Sequence, residues 1–407
     1  PEYFKLKSLV SNKYFIINMK VENQIIGIDA SNIIKGGGIT HLSELLNNVD
    51  PVIHGIQKVI IWSNSKTLEQ LPEKPWLLKK NHLYLEKNIF YRLFWHKFIL
   101  ASELLVNHCN LLFVPGGSYS INFKPIVTMN QNLLPFENNE ILRYKFSLSL
   151  FRLLFLRFFQ TISFKKSNGL IFLSLYSKKI VEKVLKSPNL KSIVIPHGVN
   201  KRFFKKPRIQ KSIIHYSEDN PYRIIYISSI DLYKHHWNVA QAVSRLKKLN
   251  YPIVLDIYGG GSTRQSENLI KRFSEFGDAV CYKSEVNHIN IQEVYFSADL
   301  SIFASSCETF GQIIIESMAS GLPIACSKMS TMPELLGDSA IYFDPLDIND
   351  IQSTIKTLID SEITRNDIAI KAYEKAQQYT WTKTSYDTFE FFKEVIKEKY
   401  THENINS

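Results

Sequence analysis

Residues 306–316 read Ser-Cys-Glu-Thr-Phe-Gly-Gln-Ile-Ile-Ile-Glu and place two glutamates, Glu308 and Glu316, on either side of a glycine turn. The preceding residues 299–304, Asp-Leu-Ser-Ile-Phe-Ala, have the short apolar composition of a buried parallel strand. Residues 312–320 read as a helix that the following glycine ends. The sequence therefore predicts a strand, a loop that carries Glu308, and a helix with Glu316 about one turn inside it.

The turn between the two glutamates has the chemistry of a phosphate site. A helix N-terminus offers unpaired backbone N–H groups, here those of Gly311 and Gln312, at the positive end of the helix dipole. Carboxylates on either side can accept hydrogen bonds from sugar hydroxyls, so one sugar nucleotide can meet all three groups. A plainer alternative is that Glu308 caps the helix and Glu316 is an ordinary exposed helical residue.

The pattern continues beyond the turn in the same order. Residues 317–327 read Ser-Met-Ala-Ser-Gly-Leu-Pro-Ile-Ala-Cys-Ser, and residues 332–338 read Met-Pro-Glu-Leu-Leu-Gly-Asp. Together with residues 304–316 they resemble the donor-site signature of retaining family-four glycosyltransferases, as found in bacterial polysaccharide and O-antigen enzymes. The resemblance implies the GT-B fold, an α/β architecture of two Rossmann-like domains with parallel sheets facing across a cleft. It also implies a C-terminal helix that packs back on the first domain.

The resemblance also implies roles for particular residues. Glu316 is expected to bind the ribose hydroxyls, Glu308 to contact the donor sugar, and Lys234 to hold the diphosphate as a catalytic cation. The other residues expected at the donor site are Thr309, Phe310, Gly311, Gln312 and Ile313, together with Gly36, Gly37 and Gly38 from the first domain; those expected on the acceptor side are Gln131, Asn132 and His197. Taken alone, the glycine run reads more readily as a loop, and His197 as a structural residue.

Two positions depart from the family pattern. Many relatives have an arginine five residues before the lysine, where this chain has Ser229; Arg264 is a candidate replacement, although a solvated surface arginine explains it as well. Many also have a His-Asp pair where this chain has Gln131 and Asn132. Amides cannot act as general bases at neutral pH, but a retaining reaction needs none if the leaving phosphate takes the acceptor proton. Loop structure alone would also explain Asn132.

No metal or other cofactor is expected, and the nucleotide diphosphate sugar is treated as a substrate. The chain lacks an Asp-x-Asp motif at a strand end. Asp344, Asp347 and Asp350 are interpreted as turn and helix-cap residues. Phosphate charge would instead be neutralised by lysine and the helix dipole.

Composition fits a large globular enzyme: 407 residues, 45% hydrophobic and 21% charged, predict two or three domains. The four cysteines show no metal or disulfide spacing, which favours a reducing cytoplasm. No secretory signal is evident. The most apolar stretch, residues 146–164, contains Arg152, Arg157 and Gln160, so a membrane span is not expected.

Charge divides the chain into two unlike halves. Residues 1–221 contain 31 Lys/Arg and 14 Asp/Glu, whereas residues 222–407 contain 18 and 24. The basic half predicts an anionic partner. Nucleic acid lacks a recognisable motif here, so an anionic bilayer is favoured, with residues 143–159 as an interfacial face and a peripheral location at the inner face of the plasma membrane. The alternative is a buried helix with two snorkelling arginines.

Apolar β-rich segments alternate with helical ones in two series, which predicts parallel sheets in two α/β domains. The segments predicted as strands are residues 24–30, 58–62, 111–114, 125–129, 169–173 and 192–196, then 222–227, 253–258, 280–282, 299–304 and 324–326. The predicted divisions are an extension at 1–18, an acceptor domain at 19–200, a linker at 201–221, a donor domain at 222–385, and a C-terminal helix and tail at 386–407.

The sequence thus predicts a glycosyltransferase that moves a sugar, with mannose from a GDP donor as the specific expectation, to a glycan or lipid-linked acceptor with retention. Two other classes stay open. A sugar-nucleotide epimerase of the same fold would need acid and base groups on both cleft walls, which Gln131 and Asn132 do not supply. A non-catalytic scaffold would tolerate loss of Glu308 or Lys234, and both are present.

Overall fold

The computed structural model describes residues 23–34, 36–145, 147–261, 263–286 and 290–406, with side chains described as far as residue 401. The predicted extension at residues 1–18 lies outside these ranges. Two parallel sheets organise the described part of the chain, one in each half.

The first sheet has seven strands in the order β3-β2-β1-β4-β5-β6-β7, and every neighbouring pair is parallel. Helices cover both of its faces, so most of its strands are continuous apolar runs. The strands are β1 Gln24–Asp29, β2 Ile56–Trp62, β3 Leu77–Lys80, β4 Leu111–Val114, β5 Ile126–Met129, β6 Gly169–Phe172 and β7 Ser192–Val194.

The second sheet has six parallel strands in the order β10-β9-β8-β11-β12-β13. In both sheets the strand order reverses beside the first strand of the domain. Ligands of such sheets bind at the carboxyl ends of the strands near that reversal. The strands are β8 Tyr222–Ile227, β9 Ile253–Tyr258, β10 Val280–Lys283, β11 Leu300–Phe303, β12 Ile324–Ser327 and β13 Ile341–Phe343.

The described helices fall into a first-domain set, a second-domain set and a final long helix. Those of the first domain are α1 Gly37–Asn47, α2 Ser65–Leu68, α3 Ile89–Phe98, α4 Leu100–Val106, α5 Asn138–Leu142, α6 Leu148–Lys166 and α7 Leu175–Leu185. Those of the second are α8 His236–Lys248, α9 Arg264–Arg272, α10 Ile291–Ser297, α11 Gln312–Ala319, α12 Met332–Leu336, α13 Ile348–Asp360 and α14 Glu362–Ala376, and the last helix is α15 Trp381–Asn406.

Helix α15 leaves the second domain and packs on the first, as the resemblance implied. Ser385 Oγ donates to the carbonyl of Leu45 on α1 at 3.1 Å. Further along, the ring of Phe392 lies 4.9 Å from that of Phe113 on β4. The final helix therefore ties the two domains together through buried apolar contacts.

All eleven strands predicted from the sequence are confirmed, with boundaries within two residues. The strands that the sequence did not reveal, β3 and β13, both lie at sheet edges. Strand β3 reads Leu-Leu-Lys-Lys, a charged edge without an apolar run. Strand β13 is only three residues long. The predicted linker at 201–221 contains two short 3-10 turns and neither strand nor α-helix, and the exact domain boundaries stay predictions.

Gly198 of the first domain packs closely against the backbone at the start of α15. A Cβ atom at this position would lie 2.1 Å from the backbone nitrogen of Trp381, so no side chain fits without moving the helix. We expect Gly198→Ala to destabilise the protein by about 3 kcal/mol, because overpacking against backbone cannot relax by rotamer change. Urea unfolding measures the loss. Gly116→Ala is the matched control, since its Cβ would make only an ordinary 3.6 Å contact; equal stability of the two variants would contradict the prediction.

Candidate sugar-nucleotide site

A cavity of about 670 Å³ lies where the carboxyl ends of the two sheets meet. Its volume is in the usual range for sites that bind a small molecule. The first domain contributes the loop before α1, the segment after β5 and the segment after β7, and the second domain contributes the loop after β11 and the start of α11. The predicted site residues that line it are Gly36, Gly37, Gly38, Gln131, His197, Glu308, Thr309, Phe310, Gly311, Gln312, Ile313 and Glu316.

Gly311 sets the direction of α11. Its φ of +107° lies in the left-handed region, and a Cβ atom there would come within 2.8 Å of Met332 Cε. Only glycine accepts both the backbone angle and the contact. The turn leaves the backbone N–H groups of Gln312 and Ile313 at the helix start without partners among the described residues. Two free donors and the positive end of the helix dipole therefore face the cavity, as a phosphate site requires.

Glu316 is buried on α11, with 5% of its surface exposed, and Tyr295 donates a hydrogen bond to its carboxylate at 2.9 Å. Burial raises the pKa of Glu316 to about 7, and the Arg202 guanidinium and hydrogen bonds from Tyr295 and Gln312 offset only part of that shift. The alternative that Glu316 is an exposed helical residue is wrong. The group is a buried acceptor at the cavity wall.

Glu308 does not cap α11, because its carboxylate forms an ion pair with the ammonium of Lys234. Both side chains are largely buried. Lys234 does not itself line the cavity, but it is paired with the carboxylate that does. The predicted phosphate cation and the predicted sugar contact thus form one unit.

The loop that carries Lys234 is fixed by its neighbours. Tyr226 OH donates to the carbonyl of Lys234 and accepts from the Ala304 N–H at 3.1 Å. His235 Nε2 lies 2.9 Å from Ser306 Oγ, and His236 Nε2 lies 2.9 Å from Ser228 Oγ. These bonds connect the loop after β8 to the loop after β11. The lysine is held in place by side chains that do not reach the cavity.

The residues named for the two departures from the family pattern lie in different places in the structure. Gln131 reaches the cavity, and its backbone carbonyl accepts from Thr309 Oγ1 across the domains at 3.3 Å. Asn132 is exposed and does not line the cavity; its Oδ1 accepts from the Leu134 N–H at 3.1 Å, which is a turn role. Arg264 is exposed at the start of α9 and also lies outside the cavity.

The sequence reasoning missed His41, which lines the cavity beside His197. The two ring centroids lie 4.7 Å apart, and Trp381 and Phe310 pack against His197 at 5.4 and 5.5 Å. Burial lowers the pKa of His41 to about 4 and holds the pKa of His197 well below its usual value. Both imidazoles are therefore neutral at pH 7. The available signal was a polar residue on the apolar, inward stripe of α1.

His41 presents both ring nitrogens, and His197 its Nδ1, without a hydrogen-bond partner among the described residues. Neutral imidazoles offer one donor and one acceptor each. The first-domain wall can therefore bind hydroxyl groups but carries no charge from these histidines.

The acidic residues of the segment at 344–350 have the structural roles predicted for them. Asp347 caps α13 by accepting from the N–H groups of Asn349 and Asp350, and Asp344 Oδ1 accepts from the Leu346 N–H. Over the described ranges, no group of three or more His, Cys, Asp or Glu side chains is arranged to hold a metal ion.

Comparison with known proteins finds a family model that matches the part of the chain carrying Lys234, Glu308 and Glu316. Residues 208–375 match the family model for glycosyl transferases, group 1. The match covers less than half of the chain and lies in its second half. The matched region contains Lys234, Glu308 and Glu316, so the resemblance seen in the sequence is confirmed.

Among individual relatives, the O-antigen chain mannosyltransferase B of Escherichia coli is 26% identical over 172 residues, which is 42% of this chain and 45% of that protein. The chain thus matches less than half the length of this relative.

Solved structures share the whole architecture. Sucrose-phosphate synthase of Thermosynechococcus elongatus superposes with a TM-score of 0.69 at 14% identity, covering 91% of this chain and 99% of that one. Anabaena Alr3699/HepE, solved with UDP and glucose, gives a TM-score of 0.65 at 15% identity over the same shares. The fold is GT-B, as expected from the sequence.

The burial of Glu316 predicts a pH-dependent stability. Between about pH 4.5 and 7 the folded protein retains a proton on Glu316 that the unfolded chain has lost, so this group's contribution to stability falls as pH rises through that window. We expect the difference in unfolding free energy between wild type and Glu316→Gln to change by about 3 kcal/mol across it. Urea unfolding from pH 4.5 to 8 measures this, and parallel curves for the two proteins would show that Glu316 ionises normally.

Proposed function

We propose that this protein transfers a sugar from a nucleotide diphosphate sugar to a hydroxyl acceptor with retention of configuration. The observation that carries the proposal is the single cavity into which three groups face: the Glu308 carboxylate, the unpaired N–H groups at the start of α11, and the buried Glu316. In the proposed complex they take the donor sugar, the diphosphate and the ribose, in that order. The relative solved with UDP and glucose supports this class of donor.

Charge in the site is arranged for a diphosphate leaving group. The phosphates gain negative charge as the sugar departs, and the N–H groups of Gln312 and Ile313 are already oriented towards that position. Lys234 is paired with Glu308, and the ion pair fixes its ammonium. Its positive charge offsets that of the carboxylate, so Glu308 can approach the sugar without repelling the diphosphate. We propose that the reaction needs no resident metal or other cofactor.

We assign the role of proton acceptor to the departing phosphate. His41 and His197 have lowered pKa values, and Gln131 is an amide, so none of these cavity groups is an effective base at pH 7. In the proposed step the bond between the anomeric carbon of the sugar and the diphosphate oxygen breaks. That diphosphate oxygen takes the proton of the acceptor hydroxyl. That hydroxyl oxygen bonds to the sugar from the same face. The incoming and outgoing oxygens then share one side of the ring, which retains the configuration.

We further propose mannose from a GDP donor as the transferred sugar and a glycan or lipid-linked acceptor of cell-surface polysaccharide synthesis at the cytoplasmic face of the membrane. The similarity to an O-antigen mannosyltransferase supports this choice of pathway and sugar. The hydroxyl-binding histidine pair of the first domain supports an acceptor rich in hydroxyl groups.

Glu308 is expected to be essential. Glu308→Gln should lower kcat/KM by roughly a hundredfold or more, since it removes both the sugar contact and the counter-charge of Lys234. A panel of GDP- and UDP-sugars is incubated with lipid-linked acceptors, and nucleotide diphosphate release and the anomeric configuration of the product are measured. Glu293→Gln, at an exposed position of α10, is the matched control and should keep full activity. Inverted product, or equal rates in the Glu308 variant, would refute the mechanism.

Donor binding should depend on pH through Glu316. Ribose hydroxyls donate to the ionised carboxylate, so binding requires loss of the proton that this group holds below about pH 7. Affinity for a nucleotide diphosphate sugar, whose phosphates do not titrate in this range, should fall about tenfold per pH unit below that point and stay level above it. Calorimetric titration from pH 5.5 to 8.5 checks this. The Glu316→Gln variant should bind weakly with a flat profile; an equally steep profile in the variant would assign the dependence to another group.

The same assays distinguish glycosyl transfer from the two alternative functions, a sugar-nucleotide epimerase and a non-catalytic scaffold. A sugar-nucleotide epimerase would interconvert donor sugars without acceptor, but Gln131, His41 and His197 give the first-domain wall no strong acid or base. A scaffold would bind nucleotide with the expected pH profile and release no diphosphate. The geometry favours transfer because Lys234 and Glu308 are held together beside the cavity.

A further inference from the structure

Helix α6 carries apolar side chains on two opposite sides. Leu153, Gln160 and Phe164 face inwards and are buried. On the opposite side Leu148, Phe151, Phe155 and Phe158 are exposed, with 89%, 63%, 67% and 60% of their surface accessible. A surface helix of a soluble domain normally turns a polar face outwards, and a helix that is apolar all round is covered by another phase or partner.

Helix α3 repeats this arrangement in the same layer of the domain. Trp95 and His96 are buried, while Phe90, Leu93, Phe94 and Phe98 are exposed. The apolar residues under α3 and α6 lie on one face of the first sheet. Leu112 pairs with Ile126, and Thr128 pairs with Leu170. Because Ile126 and Thr128 are two residues apart on β5, all four side chains point to the same face. The outer sides of both helices therefore face the same way. We call these eight exposed side chains the interfacial face: Phe90, Leu93, Phe94, Phe98, Leu148, Phe151, Phe155 and Phe158.

The charged residues of α3 and α6 are all basic. Residues 87–98 contain Lys87, Arg92 and Lys97 and no acidic residue, and residues 141–166 contain only basic charged residues. The ammonium of Lys87 lies 4.6 Å from the ring centre of Tyr91, and that of Lys97 lies 5.3 Å from the ring of Phe98. Aromatic rings with cations beside them are the composition of a helix that lies in a bilayer interface.

The position of α6 relates this face to the cavity. Gly117, just after β4, packs against Gln160, and Tyr119 N donates to Ser163 Oγ at 3.0 Å, so this part of α6 lies at the carboxyl edge of the sheet. After the helix ends, Asn168 bonds to Ile126 at the amino edge. Before the helix begins, Tyr144 donates to Asp231 of the second domain at 2.7 Å, so the N-terminal end of α6 lies on the side of the sheet on which the cavity opens.

We propose that α3 and α6 form a docking face for an anionic lipid bilayer, which seats the mouth of the cleft at the membrane surface. The alternative of a buried helix with two snorkelling arginines is wrong, since α6 exposes a full apolar side. A second copy of the chain is a poorer occupant, because a two-fold contact would set basic face against basic face. No described helix is both long and apolar enough to cross a bilayer. The proposed contact is therefore interfacial.

Vesicle co-sedimentation without nucleotide tests the docking face independently of the reaction. The wild-type protein should bind vesicles of phosphatidylcholine with phosphatidylglycerol at least about tenfold more strongly than vesicles of phosphatidylcholine alone, and salt should weaken the binding. Phe155→Glu and Phe94→Glu should each lose about tenfold or more. Ile363→Glu is the matched control, because Ile363 is 81% exposed on α14 of the acidic second domain; it should bind as wild type does.

Circular dichroism and unfolding curves serve to check that each variant is folded, which we expect because the substituted positions are exposed. Arg152→Glu tests the charge separately and should reduce both the binding and its salt dependence. The proposal is overturned if the two phenylalanine variants bind vesicles as tightly as Ile363→Glu. It is also overturned if the wild-type protein forms dimers that Phe155→Glu dissociates while vesicle binding is absent. Either result leaves the proposed glycosyl transfer to be judged by its own assay.

Discussion

The left-handed conformation of Gly311 is the constraint on which the candidate site depends. It turns the chain between β11 and α11 so that the helix axis points its positive end at the cavity. The same turn places Glu308 before the helix and Glu316 on its second turn, so both carboxylates and the free N–H groups share one space. A side chain at Gly311 would meet Met332 and would also require a strained backbone. The geometry of the donor domain thus rests on a residue that has no side chain.

The walls of the cleft differ in electrostatic character, and the difference suits a charged donor. The second domain supplies an ion pair, a helix dipole and a carboxyl group with a raised pKa, whereas the first supplies two histidines kept neutral by burial. A nucleotide diphosphate therefore has one wall that stabilises it electrostatically. The opposite wall offers hydroxyl-binding groups that do not compete for the phosphate charge. Burial contributes to this asymmetry, because it shifts Glu316 towards the acid form and His41 towards the neutral base.

The sequence predicted the donor half of the site more fully than the acceptor half, for a physical reason. Glu308, Gly311 and Glu316 follow each other along one strand, turn and helix, so local spacing determines their arrangement. His41 and His197 stand 156 positions apart and meet only because α1 and the segment after β7 share an edge of the sheet. Asn132 looked like a site residue by its position beside Gln131, yet the turn directs it to solvent. The sequence did not predict the edge strands β3 and β13, because β3 contains two lysines and β13 is only three residues long.

The exposed apolar side of α6 makes physical sense only together with its place at the cleft. An exposed phenylalanine face costs free energy in water, and a domain with a well-packed core has no need of one for its own stability. Tyr144, which precedes α6, donates to Asp231 of the second domain at 2.7 Å, so the helix begins close to the cleft. The segment that leads into α6 therefore connects the proposed bilayer contact to the loop that ends in Lys234. An acceptor whose sugar is carried on a lipid would reach the cavity along this helix without leaving the interface, which links the two apolar helices to the proposed chemistry of the cleft.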